Sequence, residues 1–388
     1  MDKDTLNVIG AIALNDIFGQ EPQIARNIIS TLGSARALFE LSSKELFALF
    51  GPGSRFRGRV SRGCLDAAAQ TYEKLSSQGC SFVCLGDEAY PKLLLECPDA
   101  PVLLYIRGST PPERLFNCRP SVAIVGTRDV SAYGKDWCAR IVAALADTGK
   151  PPAIVSGLAI GVDITAHLAA LEHSLPTIGV SPVGIDDVYP RRHALIAGRM
   201  AGSDGSAIVT DYPPGTLPMP HVFLRRNRII AGLADATVLI ESKVRGGGMM
   251  TARLAAGYGR SVYVLPGRID DLRSAGCNRL LAEKIAEPVT SPESLAEALG
   301  LGHILRKRVR PADTIRSLFS ERLPESDTEN LIRLQTMIRR RPGVSYDELC
   351  PLTGLPYPEI ARLAGLLESA GLIRTDMLQR CTTNPDFI

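Results

Sequence analysis

Three stretches of the chain decide its fold: SVAIVGTR at residues 121–128, AIVSGLAIGVD at 153–163 and ATVLIESKVRGGGMMTA at 236–252. Each is a short apolar, β-branched run that breaks at glycine and then enters a helical pattern. Runs that are apolar throughout are typical of parallel strands buried on both faces. The breaks then lie together at the carboxyl ends of the strands, where helix N-termini offer free backbone N–H groups to anions. The sequence therefore predicts an α/β protein whose sheet edge attracts phosphate.

The alternation of strands and helices continues well beyond these stretches. It predicts an α/β fold with a doubly wound parallel sheet and right-handed crossovers. The predicted strands are 121–126, 153–156, 176–181, 206–210, 236–241 and 261–265, and the predicted helices are 131–148, 158–173, 191–201, 222–233 and 250–258.

Different patterns flank this core. The helical runs before residue 75 predict an N-terminal all-helical module that resembles helix–hairpin–helix (SAM-like) units, and the three runs within 329–375 resemble a winged-helix domain. The predicted organisation is a helical module at 1–75, the core at 76–300, a linker at 301–328 and a winged-helix-like domain at 329–388. Because its third helix offers only Arg362 as a cation, the last domain favours protein interaction over DNA binding. The arginines that follow the glycine turn of the first module fit DNA contact and a solvated basic face equally well: Arg55, Arg57, Arg59 and Arg62.

Composition narrows the classes of function. The formal net charge of +3 over 388 residues is too small to indicate a nucleic-acid partner by itself, so such binding must come from local clusters of arginine. No apolar run is long enough to span a membrane, and the N-terminus does not resemble a signal peptide. The nine cysteines show no ligand spacing for zinc. We therefore expect a cytoplasmic protein with reduced thiols, no metal and no cofactor.

The first two breaks supply candidate ligands for a phosphate. Gly126 allows close approach, Thr127 adds a hydroxyl group and Arg128 supplies a bidentate guanidinium. The loop has neither the G-x-G-x-x-G spacing of dinucleotide folds nor the G-K-[ST] of a P-loop, which disfavours nucleotide hydrolysis. At the second break, Ser156, Gly157 and Gly161 repeat the design. Asp163 and His167 then follow on one helix face, where we expect a local pair.

The helix predicted at 222–233 carries three arginines. Arg226 falls in the middle of its apolar stripe, where a charge is costly unless it meets an anion. It therefore either pairs with a carboxylate such as Asp163 or Glu241, or reaches a bound phosphate. Arg225 and Arg228 share the opposite face, and solvent exposure and phosphate contact both remain open for them.

The third break is the glycine run Gly246-Gly247-Gly248, flanked by Lys243 and Arg245 and followed by Thr251. Three successive glycines indicate that the backbone approaches something closely, and such a nest suits an anion. No nucleophile with a base, no paired carboxylates and no metal cluster assemble at motif spacing. This pattern favours binding over catalysis.

Taken in order, these motifs resemble the DNA-processing protein A family, which is also called Smf. The resemblance is strong over roughly residues 80–290 and rests on VGTR at 125–128, SGLAIGVD-x-x-AH at 156–167, DDVYP at 186–190, RNRIIAGL at 226–233, ESKVRGGGMMTA at 241–252, VYVLPG at 262–267 and GCNRLL at 276–281.

The resemblance implies a Rossmann-like core that binds single-stranded DNA. It further implies that the protein protects incoming strands in natural transformation, hands them to the RecA recombinase and displaces single-strand-binding protein, acting as a homodimer and not as an enzyme. Arg128 is the leading phosphate ligand on this basis. The other residues implied to line the DNA groove, or proposed beside it, are Gly126, Thr127, Ser156, Gly157, Gly161, Arg225, Arg226, Asn227, Arg228, Lys243, Arg245, Gly246, Gly247, Gly248 and Thr251.

A nucleotide-processing enzyme is the alternative function. The related-fold phosphoribohydrolases called lysine decarboxylase-like need P-G-G-x-G-T-x-x-E, in which a glutamate helps to cleave the N-glycosidic bond. Here Met249, Met250 and Thr251 follow the glycines, and no glutamate stands at the required step. A third possibility is that the core is only a scaffold for partners bound through the C-terminal domain.

Overall fold

The computed structural model describes residues 3–304, 311–320 and 322–384 and divides into two compact units, Met1–Leu305 and Arg306–Ile388. Among the described residues no helix is both long and apolar enough to cross a membrane. The helices of the first unit are α1 (Lys3–Phe18), α2 (Pro22–Leu32), α3 (Ser43–Phe50), α4 (Arg62–Ser77), α5 (Lys92–Leu95), α6 (Pro112–Leu115), α7 (Ala132–Ala146), α8 (Val162–Glu172), α9 (Ala194–Gly202), α10 (Pro220–Gly232), α11 (Gly247–Gly257), α12 (Ala275–Ala282) and α13 (Pro292–Ala298).

One nine-stranded sheet organises the first unit. Its strands, in chain order, are β1 (Cys80–Cys84), β2 (Leu103–Arg107), β3 (Ser121–Val125), β4 (Ala153–Ser156), β5 (Thr177–Val180), β6 (Ala207–Thr210), β7 (Ala236–Leu239), β8 (Ser261–Val264) and β9 (Glu287–Pro288). They lie in the order β1-β2-β6-β5-β4-β3-β7-β8-β9, with β3 to β9 parallel and the β1–β2 hairpin antiparallel at one side. The Rossmann-like, doubly wound sheet is confirmed, and all six strands predicted for the core are present.

The apolar strand runs arise from burial on both faces of the sheet. Along β3, Val122 and Ile124 pack in one hydrophobic cluster, whereas Ala123 and Val125 pack in the cluster on the opposite face. Residues 122–125 of β3 therefore enter one apolar layer or the other, and the alternation typical of a half-exposed strand is absent. The chain winds from β3 to β6 on one side and returns with β7 on the other, so the switch point lies between β3 and β7.

The N-terminal helices pack on the hairpin end of this sheet. Phe18 of α1 and Leu75 of α4 belong to the same buried cluster as Leu103 and Tyr105 of β2. The helical module therefore shares a hydrophobic core with the sheet and lies in the same compact unit. The predicted boundary at residue 75 remains a prediction about domain organisation.

The second unit has its own core. It contains α14 (Pro311–Phe319), α15 (Glu325–Arg340), α16 (Tyr346–Thr353) and α17 (Tyr357–Ser369), with the short strands β10 (Val344–Ser345), β11 (Ile373–Thr375) and β12 (Arg380–Thr383) in the order β10-β12-β11. Helices followed by the β11–β12 hairpin fit a winged-helix domain, and that assignment remains a prediction.

The segment predicted as a linker, 301–328, is partly helical. α14 lies within it, and Ile315 of α14 is buried among the core residues of the second unit. The apolar residues of this segment recur at helical spacing, but the charged residues on both sides of them led to the prediction of a linker. Residues 305–310, which hold most of its basic run, lie outside the described residues.

Candidate nucleic-acid interface

The loop that follows β3 presents an exposed arginine at the switch point. The Thr127 N–H donates to the carbonyl of Glu241 at 2.7 Å, and the Thr127 carbonyl accepts from the N–H of Val162 at 3.2 Å. These two bonds hold the loop between the β7 and β4 connections. The guanidinium of Arg128 lies 4.9 Å from the centre of the Phe223 ring, a cation–π contact. Within the described part of the chain, no carboxylate forms an ion pair with Arg128.

Gly126 and Gly161 are needed for loop packing at this point. A Cβ atom on Gly126 would lie 2.5 Å from a methyl group of Val162. One on Gly161, whose φ is +85°, would lie 2.3 Å from the Thr127 carbonyl oxygen. Both glycines therefore bring neighbouring loops together and set the position of Arg128.

The second break leads to a buried polar network beneath the sheet edge. Ser156 is fully buried, and its hydroxyl donates to the carbonyl of Ile124 at 2.6 Å. The carbonyl of Gly157 accepts from Arg226 at 2.5 Å, and a Cβ atom on Gly157 would lie 2.4 Å from the Arg226 guanidinium. Close approach of a side chain therefore explains Gly157, although the sequence suggested close approach of a phosphate.

Arg226 lies inside this network. It is 3 % exposed and also donates to the carbonyl of Val180. Burial lowers the pKa of Arg226 to about 10, and the charge of Asp163 opposes that change. Burial raises the pKa of Asp163, while Arg226 opposes the rise. Of the two carboxylates considered from the sequence, Asp163 is the one whose charge acts on Arg226, whereas the carboxylate of Glu241 is engaged by Ser131.

The expected local pair of Asp163 and His167 is wrong. The Nδ1 atom of His167 forms a hydrogen bond with the hydroxyl of Thr177 at 2.7 Å, whereas Asp163 faces Arg226. Burial first and the nearby Arg226 charge second lower the pKa of His167 to about 3, so the imidazole is neutral near pH 7. The i, i+4 spacing put both side chains on one helix side, and tertiary partners then separated them.

The other arginines of α10 also point inward. Arg228 is buried, forms an ion pair with Asp211 and donates to the carbonyl of Asp99 at 2.5 Å. Arg225 is half-buried and donates to the carbonyl of Gly19 in the helical module at 3.0 Å. The possibility that both face solvent is therefore wrong. They attach α10 to neighbouring segments.

The third break completes the exposed edge. Lys243 and Arg245 are exposed, and Gly248 packs so closely that its Cβ atom would lie 3.1 Å from Gly126 Cα. A Cβ atom on Gly247 would meet open space, so packing does not explain that glycine. Gly246 is the N-cap of α11 and supplies no side chain to cap its first turn. The first N–H groups of α11 therefore remain available to an anion.

Two polar residues near the glycine run are already engaged. The amide of Asn227 donates to the Gly247 carbonyl at 3.4 Å, and the buried hydroxyl of Thr251 donates to the same carbonyl at 3.3 Å. These bonds join α10 and the body of α11 to the start of α11. Asn227 and Thr251 therefore stabilise the start of α11 through their hydrogen bonds to Gly247.

An aromatic pair beside Arg128 was missed from the sequence. The rings of Tyr189 and Phe223 pack edge to face at 5.3 Å, and the exposed Arg191 and Arg192 follow Tyr189 after Pro190. A tyrosine and two arginines after a predicted strand were the available signal. Exposed rings beside cations are the elements with which proteins stack and neutralise single strands. We call Arg128, Tyr189, Phe223, Lys243 and Arg245 the edge surface.

Among the described residues, no group of histidine, cysteine, aspartate and glutamate side chains could hold a metal ion. The buried carboxylate of Glu241 is also engaged, because it accepts from the Ser131 hydroxyl at 2.5 Å and from the Ser131 N–H at 2.9 Å. It thereby anchors the start of α7. The described residues around the edge surface thus present cations, rings and backbone amides.

Fold and site together define a Rossmann-like α/β protein with a cationic, partly aromatic edge at the topological switch point. Residues 81–300 match the sequence model of the DNA recombination-mediator protein A family, and the chain belongs to that family. It is 33% identical over 321 residues to the putative DNA processing protein DprA of Mycobacterium tuberculosis strain CDC 1551, covering 79% of this chain and 78% of that protein. It is also 36% identical over 211 residues to the DNA processing protein DprA of Streptococcus pneumoniae strain R6, covering 54% and 72% of the two chains.

Solved structures agree with this assignment. The X-ray structure of DNA processing protein A from Streptococcus pneumoniae superposes with a TM-score of 0.64 at 28% identity, covering 76% of this chain and 98% of that one. DNA processing protein A from Helicobacter pylori, described for its single-stranded DNA binding mode, gives a TM-score of 0.50 at 30% identity, covering 56% and 95%.

Proposed function

We propose that this protein binds single-stranded DNA along the edge surface. The observation that carries the proposal is Arg128, an exposed guanidinium that forms no ion pair with any described carboxylate and lies over Phe223 at the switch point. Lys243 and Arg245 extend the positive charge to the free amides of α11. The family membership and the binding mode named for the Helicobacter pylori relative support the same proposal.

The buried candidates have a supporting role in this proposal. Ser156, Gly157, Arg226 and Arg228 form bonds inside the protein, so we propose that they shape the loops that present the edge surface. Phosphate contact then falls to Arg128, Lys243, Arg245 and the amide of Gly247. Arg191 and Arg192 are proposed to extend the path of the strand beyond Tyr189.

The first test is fluorescence anisotropy with labelled oligo-dT and a duplex of equal length across a salt series. We expect tighter binding of the single strand and a steep loss of affinity with salt. In Arg128→Ala the affinity should fall, and the salt slope should decrease by about 0.7, the contribution of one phosphate contact on a single strand.

Arg199→Ala is the matched control. Arg199 is exposed on the last turn of α9, which precedes the amino end of β6 and so lies at the opposite edge of the sheet. This variant should keep the wild-type affinity and slope. A flat salt response of the wild type, or equal losses in Arg128→Ala and Arg199→Ala, would contradict the assignment.

We further propose, from the family resemblance, that the protein protects incoming strands in natural transformation and loads RecA onto them as a cytoplasmic homodimer. Its readout is RecA ATPase activity on oligonucleotides coated with single-strand-binding protein. Wild type should shorten the lag before hydrolysis, and Arg128→Ala should not. An unchanged lag with wild-type protein would argue against recombinase loading while leaving strand binding intact.

We propose binding without turnover. No observation favours the phosphoribohydrolase alternative, because Met249, Met250 and Thr251 occupy the step after the glycines and the Thr251 hydroxyl is committed to Gly247. Release of free base from nucleoside monophosphates by the purified chain would refute this part of the proposal.

A further inference from the structure

The arginines that lie over aromatic rings are of two kinds among the described residues. Arg55 and Arg140 lie over rings and also form ion pairs with acidic neighbours. Arg57 and Arg128 lie over rings and form no ion pair with any described carboxylate. A ring fixes the direction of a guanidinium without neutralising its charge, so both cations stay available to a phosphate. Arg57 thus repeats the arrangement found at Arg128.

Arg57 lies between α3 and α4 of the N-terminal helical module. Its guanidinium is 5.3 Å from the centre of the Phe47 ring, and Phe47 is 49 % exposed. Arg57 itself is half-buried, but its side chain forms no hydrogen bond within the described residues, and none of its nitrogen atoms is fully buried. The N–H groups of Arg57 therefore reach solvent beside an accessible ring.

The charges around this pair are positive. Lys44 is exposed and lies three residues before Phe47 on α3, so the two side chains share one face of the helix. Glu45 lies on another face, where its carboxylate accepts from the Ser42 N–H at 2.7 Å and caps the helix. We call Lys44, Phe47 and Arg57 the module patch.

The surface between the module patch and the edge surface is apolar. A cavity of about 420 Å³ lies between them, and its lining includes the residues that directly precede Arg57 and Phe223. Leu217 and Met219 also line this cavity, and they are 72 % and 52 % exposed. Exposed apolar side chains offer the bases of a strand a surface on which to pack.

The carboxylates of the cavity determine where phosphates can pass. Glu21 in the lining is paired with Arg55, but Asp16 forms no ion pair with any described cation. Burial raises the pKa of Asp16 to about 6, so its carboxylate is still largely charged at neutral pH and repels a phosphate inside the cavity. A strand therefore crosses outside the cavity, with its bases toward Leu217 and Met219 and its phosphates toward solvent.

We propose that a single strand bound on the edge surface continues across Leu217 and Met219 to the module patch, where Arg57 contacts a phosphate and Phe47 packs against a base. The proposal rests on the proposed binding of single strands and gives the helical module a part in it. A strand too short to span both surfaces cannot use the module patch, so the contribution of Arg57 depends on strand length.

The test compares oligo-dT of about 6 nucleotides with oligo-dT of about 20, which lie near the lower end and above the upper end of common single-strand site sizes. Both are titrated with the full chain in fluorescence anisotropy across a salt series. Arg57→Ala should weaken binding of the long strand roughly five- to tenfold at low salt and reduce its salt slope by about 0.7, with the short strand unchanged. Phe47→Leu keeps every charge, so it should weaken the long strand with a smaller change of slope.

Lys74→Ala is the matched control. Lys74 is exposed about three turns beyond the start of α4, and it forms no ion pair with any described carboxylate. This variant also removes one positive charge from the module, but it should keep the wild-type affinity for both lengths. Arg128→Ala should weaken binding of both.

The outcomes separate this proposal from the one on which it rests. Wild-type affinity of Arg57→Ala for the long strand, or equal fold losses for the two lengths, overturns the module patch while oligo-dT binding still supports the edge surface. A loss of the same size on a duplex of about 20 base pairs assigns Arg57 to general phosphate contact and also overturns the path of the single strand. Failure of both strands to bind the wild type removes the single-strand proposal first.

Photo-cross-linking keeps the test decisive where the short strand binds too weakly to titrate. A long oligo-dT that carries 4-thiothymidine is irradiated with the wild-type chain, and the cross-linked peptides are identified by mass spectrometry. A cross-linked peptide that contains Phe47 is expected, and cross-links confined to peptides of the edge surface overturn the proposal. Thermal melting without DNA confirms that Arg57→Ala and Phe47→Leu are folded.

Discussion

Replacement of Arg226 by alanine tests whether a motif arginine acts on the ligand or on the fold. Arg226 is 3 % exposed, donates to the carbonyls of Gly157 and Val180, and neighbours Asp163, which is 6 % exposed. Arg226→Ala leaves a buried carboxylate and two buried carbonyls without their partner. Two buried carbonyls that lose their donor, together with a buried carboxylate that loses a compensating charge, destabilise by about 3–5 kcal/mol.

The expected change is large enough for thermal unfolding followed by circular dichroism. For a unit of about 300 residues, about 2 °C per kcal/mol gives a fall in Tm of roughly 6–10 °C. Arg128→Ala is the control, because an exposed arginine without an ion pair should change stability by at most about 0.5 kcal/mol. Affinity for oligo-dT should fall in both variants, but only Arg226→Ala should melt earlier.

The pH dependence gives a second readout of the same reasoning. Burial already raises the pKa of Asp163, and removing Arg226 takes away the charge that opposes the rise. A carboxyl group with a raised folded-state pKa loses stability as pH increases through that value. The Tm deficit of Arg226→Ala should therefore shrink when the pH is lowered, and Asp163→Asn added to the variant should recover part of the Tm. Wild-type Tm combined with lost DNA affinity would refute a structural Arg226.

Two further predictions follow from single contacts. Gly157→Ala should lower Tm by several degrees in thermal unfolding, because the new Cβ would lie 2.4 Å from the buried Arg226 guanidinium. Gly198→Ala is the control: Gly198 lies in α9 with open space around it, so this variant should have an equal or slightly higher Tm. A Tm of Gly157→Ala equal to that of wild type would mean that Arg226 can move aside. Desolvation raises the pKa of the Asp16 carboxyl group from 3.8 to about 6, so its charge is unfavourable in the folded protein at pH 7. Asp16→Asn should therefore raise Tm at pH 7, and this gain should disappear as the pH falls through 6 toward 4. A difference in Tm that does not change with pH would rule out this titration.

The sequence predicted the strands well for a physical reason. A strand buried on both faces must be apolar at every position, and Val122, Ala123, Ile124 and Val125 meet that demand in the order of the chain. Glycine at the carboxyl end of each run marked where strand gave way to loop. The helix α14 within the predicted linker was harder to predict. Its buried residue Ile315 packs against residues of the second unit that lie far from it in the sequence.

The candidate site was predicted in part. Arg128, Lys243 and Arg245 are exposed at the expected edge, since a loop after a parallel strand must emerge there. Motif membership could not separate them from Arg226 and Arg228, because neighbouring residues of one helix point in different directions. Tyr189 and Phe223 were missed because they meet only in the folded chain, from segments 34 residues apart in sequence.

The sequence by itself determined the parallel α/β core, the three glycine breaks and the family, because these depend on patterns that are local along the chain. Tertiary structure alone decided which arginines face solvent and which serve the fold. The outcome depends on the groups around each guanidinium. Arg128 lies over a ring beside solvent, Arg226 lies among buried carbonyls and near the charge of Asp163, and Arg228 forms an ion pair with Asp211. A buried cation is retained only where such partners offset its desolvation, and those partners come from distant parts of the chain.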